Sequence, residues 1–171
     1  MKEMLQVINK MRDAGVITNY AIGGAIGALY YLEAVSTIDV DIFTSFDEPE
    51  SSSLNPLGPI FDYLRPLGFG VTGEHLNIAG EFVQFLPASD PLLKEALDNA
   101  IEAPLFDVPS RVMTAEHLMA IALRLGRAKD LARVEQFIEL EAFNESKLEK
   151  ILAIHSLLDK WKSFKSNRQS P

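Results

Sequence analysis

The chain contains no cysteine, and this absence narrows the chemistry open to it. Without thiols there can be no disulfide, no cysteine nucleophile and no thiolate metal site. Any metal must be held by oxygen or imidazole ligands. The histidines at 75, 117 and 155 are too far apart in sequence to form a local ligand pair. We therefore expect a hard cation held by oxygen ligands.

Long apolar runs are also missing. No stretch approaches the roughly 20 apolar residues of a membrane-spanning helix, and MKEMLQVINKMRDAG is amphipathic rather than signal-like. We expect a cytoplasmic protein without a membrane partner. Nucleophile-elbow and P-loop motifs are absent as well. GFGVTG at 68–73 matches a dinucleotide-binding pattern, but it follows a helical pattern and precedes a strand, which is the wrong context.

The composition suits one globular domain, because the 171 residues are 47% hydrophobic and 23% charged. The formal net charge of −8 disfavours broad nucleic-acid binding unless basic residues cluster. They do so in RLGRAKDLAR at 124–133 and near the C-terminal end at 160–168. A local basic surface therefore remains possible on an acidic protein.

Periodicity and turn residues predict an α+β domain, with mixed or antiparallel strands first and helices last. Helices are expected at 3–14, from Gly24 through GAIGALYYLEA, and after the Asn55-Pro56 and Asp90-Pro91 pairs. Strands are expected at 20–22 and 37–44, with a meander of antiparallel strands over 69–86. Three further helices are expected at 114–124, about 127–141 and about 145–163.

Two aspartates interrupt the hydrophobic segment TIDVDIF. In a strand, side chains alternate between faces, so Asp39 and Asp41 share one face while Ile38, Val40 and Ile42 share the other. Neighbouring carboxylates that are partly shielded from water repel each other unless a positive charge lies between them. Mg²⁺ is suited to that place, because it takes one or two carboxylates together with phosphate oxygens.

Two glycines precede these aspartates, in the sequence YAIGGAIGAL. A Gly-Gly turn between a strand and a helix lets the backbone approach a ligand closely, which suits a polyphosphate. Taken singly, Gly23 and Gly24 could form only a tight turn, and the aspartates could face solvent on an edge strand. Their occurrence together favours a phosphate and metal site.

The pattern resembles the nucleotidyltransferase superfamily related to DNA polymerase β, in which Gly-Gly precedes Asp-x-Asp between apolar residues. Here IGG stands at 22–24 and IDVDIF at 38–43. It is most similar to bacterial minimal nucleotidyltransferases of the AbiEii toxin type, on GGAI, TIDVD and the RLGRAKD of 124–130. The resemblance implies a nucleotidyltransferase-like part over about 1–108 and a helical part over about 109–165, in a single domain of 1–171.

The resemblance also implies roles for particular residues. The metal ligands would be Asp39 and Asp41, holding Mg²⁺ in a site that could take two ions. The residues that contact or support the nucleotide triphosphate would be Gly23, Gly24, Thr37, Arg124, Arg127 and Lys129, with Asp130 orienting one of the basic side chains. The substrates would be an NTP and an unidentified acceptor, which could be a small molecule, a protein or RNA.

The chain departs from the superfamily pattern at the third carboxylate, where FVQFL places Gln84, and at Val35, where an arginine is common. A neutral amide would weaken a second metal position, so slow transfer is expected unless Glu81 reaches the site. Two alternatives therefore stay open. The protein could be a nucleotide-binding pseudoenzyme or regulatory partner, or an interaction module whose C-terminal helices pair with another protein.

Overall fold

A computed structural model describes residues 1–32, 39–46, 55–72 and 75–169. The predicted beginning of the second strand, including Thr37 and Ile38, and Val35 before it lie outside the described residues. The helices are α1 (Lys2–Asp13), α2 (Gly24–Ala28), α3 (Gly58–Leu64), α4 (Pro91–Asp98), α5 (Ala115–Leu125), α6 (Ala128–Glu139), α7 (Glu145–Ile154) and α8 (Leu158–Gln169). The strands are β1 (Asn19–Ile22), β2 (Asp39–Ser45), β3 (Gly70–Thr72), β4 (His75–Ile78), β5 (Glu81–Pro87), β6 (Ile101–Leu105) and β7 (Val108–Val112).

The described strands form one mixed sheet in the order β3-β4-β5-β2-β1-β7-β6. Strands β3, β4 and β5 make the predicted antiparallel meander. Strand β2 lies in the middle of the sheet, antiparallel to β1 and parallel to β5. The aspartate strand is therefore paired on both sides, which excludes the edge-strand alternative.

Alternation along β2 divides its side chains between two hydrophobic cores. Val40 and Ile42 pack into the core beneath α1 and α3. Phe43 packs on the opposite face, in the core formed with α4 to α8. Asp39 and Asp41, which alternate with Val40 and Ile42, consequently point toward the side of the sheet that the C-terminal helices cover.

Several helices differ from the predicted ones. Helix α2 ends at Ala28 and the chain continues in turns, although its small residues pack closely as expected. Asn55 does not cap α3, which begins at Gly58 with Leu57 as its N-cap residue. Asp90 does cap α4, because its side chain accepts a hydrogen bond from the Leu93 amide.

The β6–β7 hairpin was not predicted. The helix expected over 91–102 ends at Asp98, and the chain turns into β6. The hairpin turn consists of Phe106 and Asp107, with φ values of 49° and 61°. Such a turn is ordinarily predicted from an Asn-Gly or Asp-Gly pair. Because Phe106-Asp107 is neither, the hairpin could not be predicted from the sequence. The boundary expected near residue 108, between the nucleotidyltransferase-like part and the helical part, therefore falls at strand β7 of the sheet.

The last predicted helix is two helices, α7 and α8. They separate near Ser156, which takes a positive φ of 56°. Neither glycine nor proline marks this break in the sequence. Among the described helices, none is both long and apolar enough to cross a membrane.

The C-terminal helices are joined to α4 by polar contacts around one glutamate. Glu95 of α4 lies 2.6 Å from Nε2 of His155 and 3.5 Å from Nε2 of His117. The other ring nitrogen of His117 is 2.7 Å from the Thr114 hydroxyl. These contacts connect three helices and help to hold the helical part against the sheet.

Candidate active site

A pocket of about 300 Å³ lies between the aspartate face of β2 and helices α5 and α6. The predicted residues that line it are Gly24, Asp39, Asp41, Gln84, Arg127, Lys129 and Asp130. Arg133 lines it too, although the sequence analysis assigned it no role. The fold thus brings together two blocks of sequence that are far apart along the chain.

The two aspartates are both partly buried. Asp39 is about one third exposed, and its Oδ2 lies 3.6 Å from Nε2 of His75. The pKa of Asp41 is raised by burial and then by the neighbouring Asp39 charge. Arg133, Lys129 and Arg127 act in the opposite direction on that pKa. The carboxylate pair therefore lies in a partly dry site that favours positive charge.

The two glycines are required by packing against β2. The Gly23 amide donates a hydrogen bond to the Asp41 carbonyl at 3.0 Å. A Cβ atom at Gly23 would lie 2.8 Å from Cδ2 of Phe43. Gly24 has a φ of +55°, and a Cβ atom there would lie 2.9 Å from Cγ of Asp41. The glycine turn therefore leaves space for the Asp41 carboxylate.

Helix α6 presents a cluster of charged side chains to the pocket. Asp130 is almost fully buried, and it accepts hydrogen bonds from Arg127 Nε at 2.5 Å and Nη2 at 3.3 Å. Arg133 follows one turn later, with Nη1 3.7 Å from the same carboxylate. Asp130 thus organises two guanidinium groups at the pocket. Arg133 could have been inferred from sequence, since residues three apart share a helix face.

Arg124 lies outside the pocket lining. Its Nη1 donates to Asp90 at 2.8 Å, at the beginning of α4. Its carbonyl oxygen accepts a hydrogen bond from Lys160. The structure therefore places Arg124 in a contact between helices, and it does not bring this side chain to the aspartates.

Gln84 lies at the pocket, whereas Glu81 lies outside its lining. Gln84 is paired with Asp41 in the parallel register of β2 and β5, and it lines the pocket. Glu81 begins β5, and its carboxylate contacts the N-terminal amine of Met1. Glu81 is not part of the pocket lining. The carboxylate that could have replaced Gln84 is therefore engaged elsewhere.

His75 contacts Asp39 but was not predicted to do so. It begins β4, which pairs with β5, and β5 in turn pairs with β2. This adjacency depends on strand order across the sheet, for which the sequence around His75 offers no local signal. Its ring lies near Phe82 as well, with centroids 6.3 Å apart.

The oxygen ligands fit a hard cation that also binds substrate phosphate. Asp39 and Asp41 supply two carboxylates and Gln84 supplies an amide oxygen, all on one side of the sheet. Across the part of the chain that the structure describes, no group of three or more acidic or histidine side chains is arranged to hold a metal. This donor set agrees with Mg²⁺, which binds through one or two carboxylates plus phosphates.

The remaining wall of the pocket is apolar. Phe43 and Leu86 come from the sheet, and the α5 side chains Leu118, Ile121, Ala122 and Leu125 lie opposite. A pocket with one charged wall and one apolar wall suits a ligand that combines phosphate with a ring system. Thr37, the remaining predicted contact, falls in the stretch 33–38 that the structure does not describe.

This fold is that of nucleotidyltransferase-like proteins. One similar structure is the solution structure of the antibiotic-resistance factor ANT(2'')-Ia, with a TM-score of 0.56, 16% identity and coverage of 96% of this chain and 95% of that one. An antigenic nucleotidyltransferase-like protein from Paracoccidioides brasiliensis gives a TM-score of 0.57 at 16% identity, covering 96% and 93%. ANT(2'')-Ia in complex with adenylyl-2''-tobramycin gives 0.54 at 19%, covering 96% and 98%.

Comparison of the sequence with protein families and with curated proteins found no relative. The chain matches no protein-family model and no curated protein. At the identities found, the structural likeness is one of fold. It extends over nearly the whole length of this chain and of each neighbour.

Proposed function

We propose that the protein is a Mg²⁺-dependent nucleotidyltransferase that moves a nucleoside monophosphate from an NTP to an acceptor. The observation that carries this proposal is the meeting of two charged groups in one pocket. Asp39 and Asp41 lie on one wall, and the basic side chains of α6 lie on another. A triphosphate and its metal ion need both kinds of wall at once.

The side chains of α6 would bind the triphosphate. Arg127 is 56% exposed on its side chain and is held by Asp130, so it can reach a ligand without losing its orientation. Lys129 adds a second positive charge at the same wall. Charge-assisted hydrogen bonds from such groups fix phosphate oxygens in position.

The reaction would be an in-line displacement. The acceptor oxygen forms a bond to the α-phosphorus, the bond from that phosphorus to the bridging oxygen breaks, and pyrophosphate leaves with the electron pair. The proton of a hydroxyl acceptor passes to water. Mg²⁺ held by Asp39 and Asp41 would supply neutralisation of the phosphate charge. The apolar wall of α5 would limit the access of bulk water to the donor.

For the acceptor, a small hydroxyl-bearing molecule is the first class to test. The neighbour ANT(2'')-Ia was solved with an adenylylated tobramycin. RNA and protein are the other classes, and the net charge of −8 argues against a large RNA. The closer likeness to AbiEii-type toxins rests on sequence motifs and stays a prediction, as do a protein partner and a cytoplasmic location.

A second candidate is a nucleotide-binding pseudoenzyme or regulatory partner. The observation that favours it is Gln84, which lies beside Asp41 and carries no charge. A neutral oxygen can support binding of a metal–nucleotide complex, but it holds a second divalent ion, which would activate the acceptor hydroxyl, less well than a carboxylate does. This candidate retains affinity for Mg²⁺-NTP and loses turnover.

The two candidates can be distinguished with NTPs labelled at the α-phosphate. Each NTP is incubated with Mg²⁺ and with tobramycin, bulk RNA or no added acceptor, and labelled products are separated. We expect transfer by the parent, with Asp39→Asn and Asp41→Asn each reducing it by about a hundredfold or more. Arg124→Gln is the matched control, because its charge lies outside the pocket. Binding without transfer supports the second candidate, and neither binding nor transfer contradicts both.

A further inference from the structure

The formal charges of the described residues that line the pocket cancel without any added ion. These residues include three acidic and three basic side chains: Asp39, Asp41, Asp130, Arg127, Lys129 and Arg133. Two of the acids lie on the sheet, and the other four groups lie on α6 or at its N-cap. A site built for two divalent ions would need a surplus of negative ligands, because each ion adds two positive charges.

Arg133 is much more enclosed than Arg127. Its side chain is 14% exposed, compared with 56% for Arg127. Its Nε has no hydrogen-bond partner among the described residues. Arg127 takes the close hydrogen bonds to Asp130, and the nearest Arg133 nitrogen is 3.7 Å from that carboxylate. The Arg133 guanidinium thus has donors to spare in a partly dry pocket.

A buried guanidinium with spare donors needs an anion nearby. Asp41 lines the same pocket from the sheet side, and Arg133 is the first among the basic side chains that lower the Asp41 pKa. Burial lowers the pKa of Arg133, whereas the charges of Asp130 and Asp41 raise it by favouring the charged guanidinium. Arginine keeps its charge throughout the accessible pH range, so this cation is permanent.

The oxygen ligands among the described pocket residues also indicate one divalent ion rather than two. Asp39 and Asp41 can hold one divalent ion with the help of phosphate, whereas a second ion beside Asp41 would meet the Gln84 amide and the Arg133 charge. An amide oxygen offers no charge to offset that repulsion.

We infer that Arg133 is a built-in cation at the aspartate pair and that the pocket takes one divalent ion rather than two. This inference rests on the proposed function. Arg133 would be a positioning residue that stabilises the Asp41 carboxylate and the substrate phosphates, and it would set how many ions the pocket accepts.

Titration with Mn²⁺ alone tests the inference, because Mn²⁺ prefers the same oxygen ligands as Mg²⁺ and free Mn²⁺ is measured directly by EPR. We expect the parent to bind one ion. Arg133→Gln should bind Mn²⁺ about tenfold more tightly, since a positive charge beside the ligands is removed. Arg133→Lys should stay close to the parent. Arg124→Gln is the control for loss of one positive charge at a distance, and its affinity should not change.

Adding a carboxylate tests the number of ions. Gln84→Glu alone should still bind one ion, because the new carboxylate pairs with the Arg133 guanidinium. Gln84→Glu combined with Arg133→Gln should bind two. Circular dichroism checks the folding of each variant, and the parent and Gln84→Glu keep the test decisive if the Arg133 variants do not fold.

The possible failures are distinguishable. Two ions bound by the parent, two ions bound by Gln84→Glu alone, or equal affinities in the parent and a folded Arg133→Gln would overturn the inference while leaving nucleotidyl transfer intact. Absence of Mn²⁺ binding in the parent, together with absence of NTP binding in the presence of Mg²⁺, would overturn the proposed function and the inference with it.

Discussion

The contact between Gly24 and Asp41 explains why glycines precede the aspartate pair. Gly24 combines a left-handed φ of +55° with a position against the Asp41 carboxylate. A side chain at Gly24 would be strained by the backbone and would also displace the carboxylate. At the scale of single residues, the glycine thus protects the orientation of the Asp41 carboxylate, the proposed metal ligand, in addition to its effect on the turn.

Gly24→Ala should therefore remove metal-dependent nucleotide binding. Gly15→Ala is the matched control, because Gly15 has a φ of +72° with nothing within 4 Å of its added Cβ. Both changes carry a backbone strain of about 1 kcal/mol, but Gly24→Ala alone disturbs Asp41. Calorimetric titration with Mg²⁺-NTP measures the difference. Equal affinities in two folded variants would refute the proposed role of Gly24.

The ionisation of Asp41 makes the metal-free protein less stable than it would be with a neutral side chain. Burial and Asp39 raise the Asp41 pKa, so the folded state holds this proton more tightly than the unfolded state does. The free energy of unfolding therefore falls as the pH rises through the ordinary carboxyl pKa of the unfolded chain and then through the raised pKa of the folded protein. It increases again as the pH falls. Above the raised pKa the full cost of ionisation is present.

Asp41→Asn should consequently raise the stability of the metal-free protein above the raised pKa of Asp41, which is seen as a higher Tm than that of the parent. The advantage should shrink as the pH falls through that raised pKa toward the ordinary carboxyl range, because the parent carboxyl becomes protonated. Thermal melts in chelator across this range measure it. A variant that is less stable than the parent at neutral pH, or a constant difference at every pH, would contradict the account.

At the scale of elements, helix α6 supplies the positive wall of the pocket and β2 supplies the negative one. Arg127 and Lys129 line the pocket, whereas Arg124 at the end of α5 pairs with Asp90. Side chains that line the pocket and a structural ion pair thus lie within a few residues of each other along the chain.

Arg127→Ala and Lys129→Ala should each weaken triphosphate binding by about tenfold or more, with little effect on binding of the corresponding nucleoside. The reason is that their contacts would be to phosphate oxygens. Arg124→Ala is the control and should leave both affinities near those of the parent. Equal losses for nucleotide and nucleoside would indicate that the helix packing had changed, and the phosphate role would then be wrong.

Elements with strong periodicity could be predicted from sequence, and those set by tertiary contacts could not. Alternation along β2 placed Asp39 and Asp41 on one face, and the structure confirms it. The break between α7 and α8 and the Phe106–Asp107 turn use positive φ values at residues other than glycine. Surrounding contacts impose such conformations, so local propensity does not reveal them.

At the scale of the whole molecule, the pocket exists because the helical part packs on one face of the mixed sheet. Among the described residues, its acidic side chains come from positions 39, 41 and 130, and its basic side chains come from positions 127, 129 and 133. The sequence supplied the two motifs, but the packing that joins them is non-local. That is why His75 was found only in the structure, and why Arg124, an arginine like Arg127 and Arg133, proved to lie outside the pocket.

The whole-molecule charge also differs from the local charge. The chain carries a formal −8, yet three basic side chains surround the aspartate pair. A polyanionic ligand would be repelled at long range and attracted at the pocket, where the Debye length of about 8 Å limits the range of the repulsion. A compact triphosphate fits this arrangement better than a long nucleic acid does.

The central claim is that Asp39 and Asp41 bind a metal–nucleotide complex with the help of α6. Thermal melts of the parent and of Asp41→Asn, with each of the four NTPs in the presence and absence of Mg²⁺, test it most directly. We predict that at least one NTP raises the parent Tm only with Mg²⁺, by the equivalent of about 2.7 kcal/mol at a ligand concentration of about 100 times Kd. The same mixture should leave the Tm of Asp41→Asn unchanged. No metal-dependent rise for any NTP, or an equal rise in Asp41→Asn, would contradict the account.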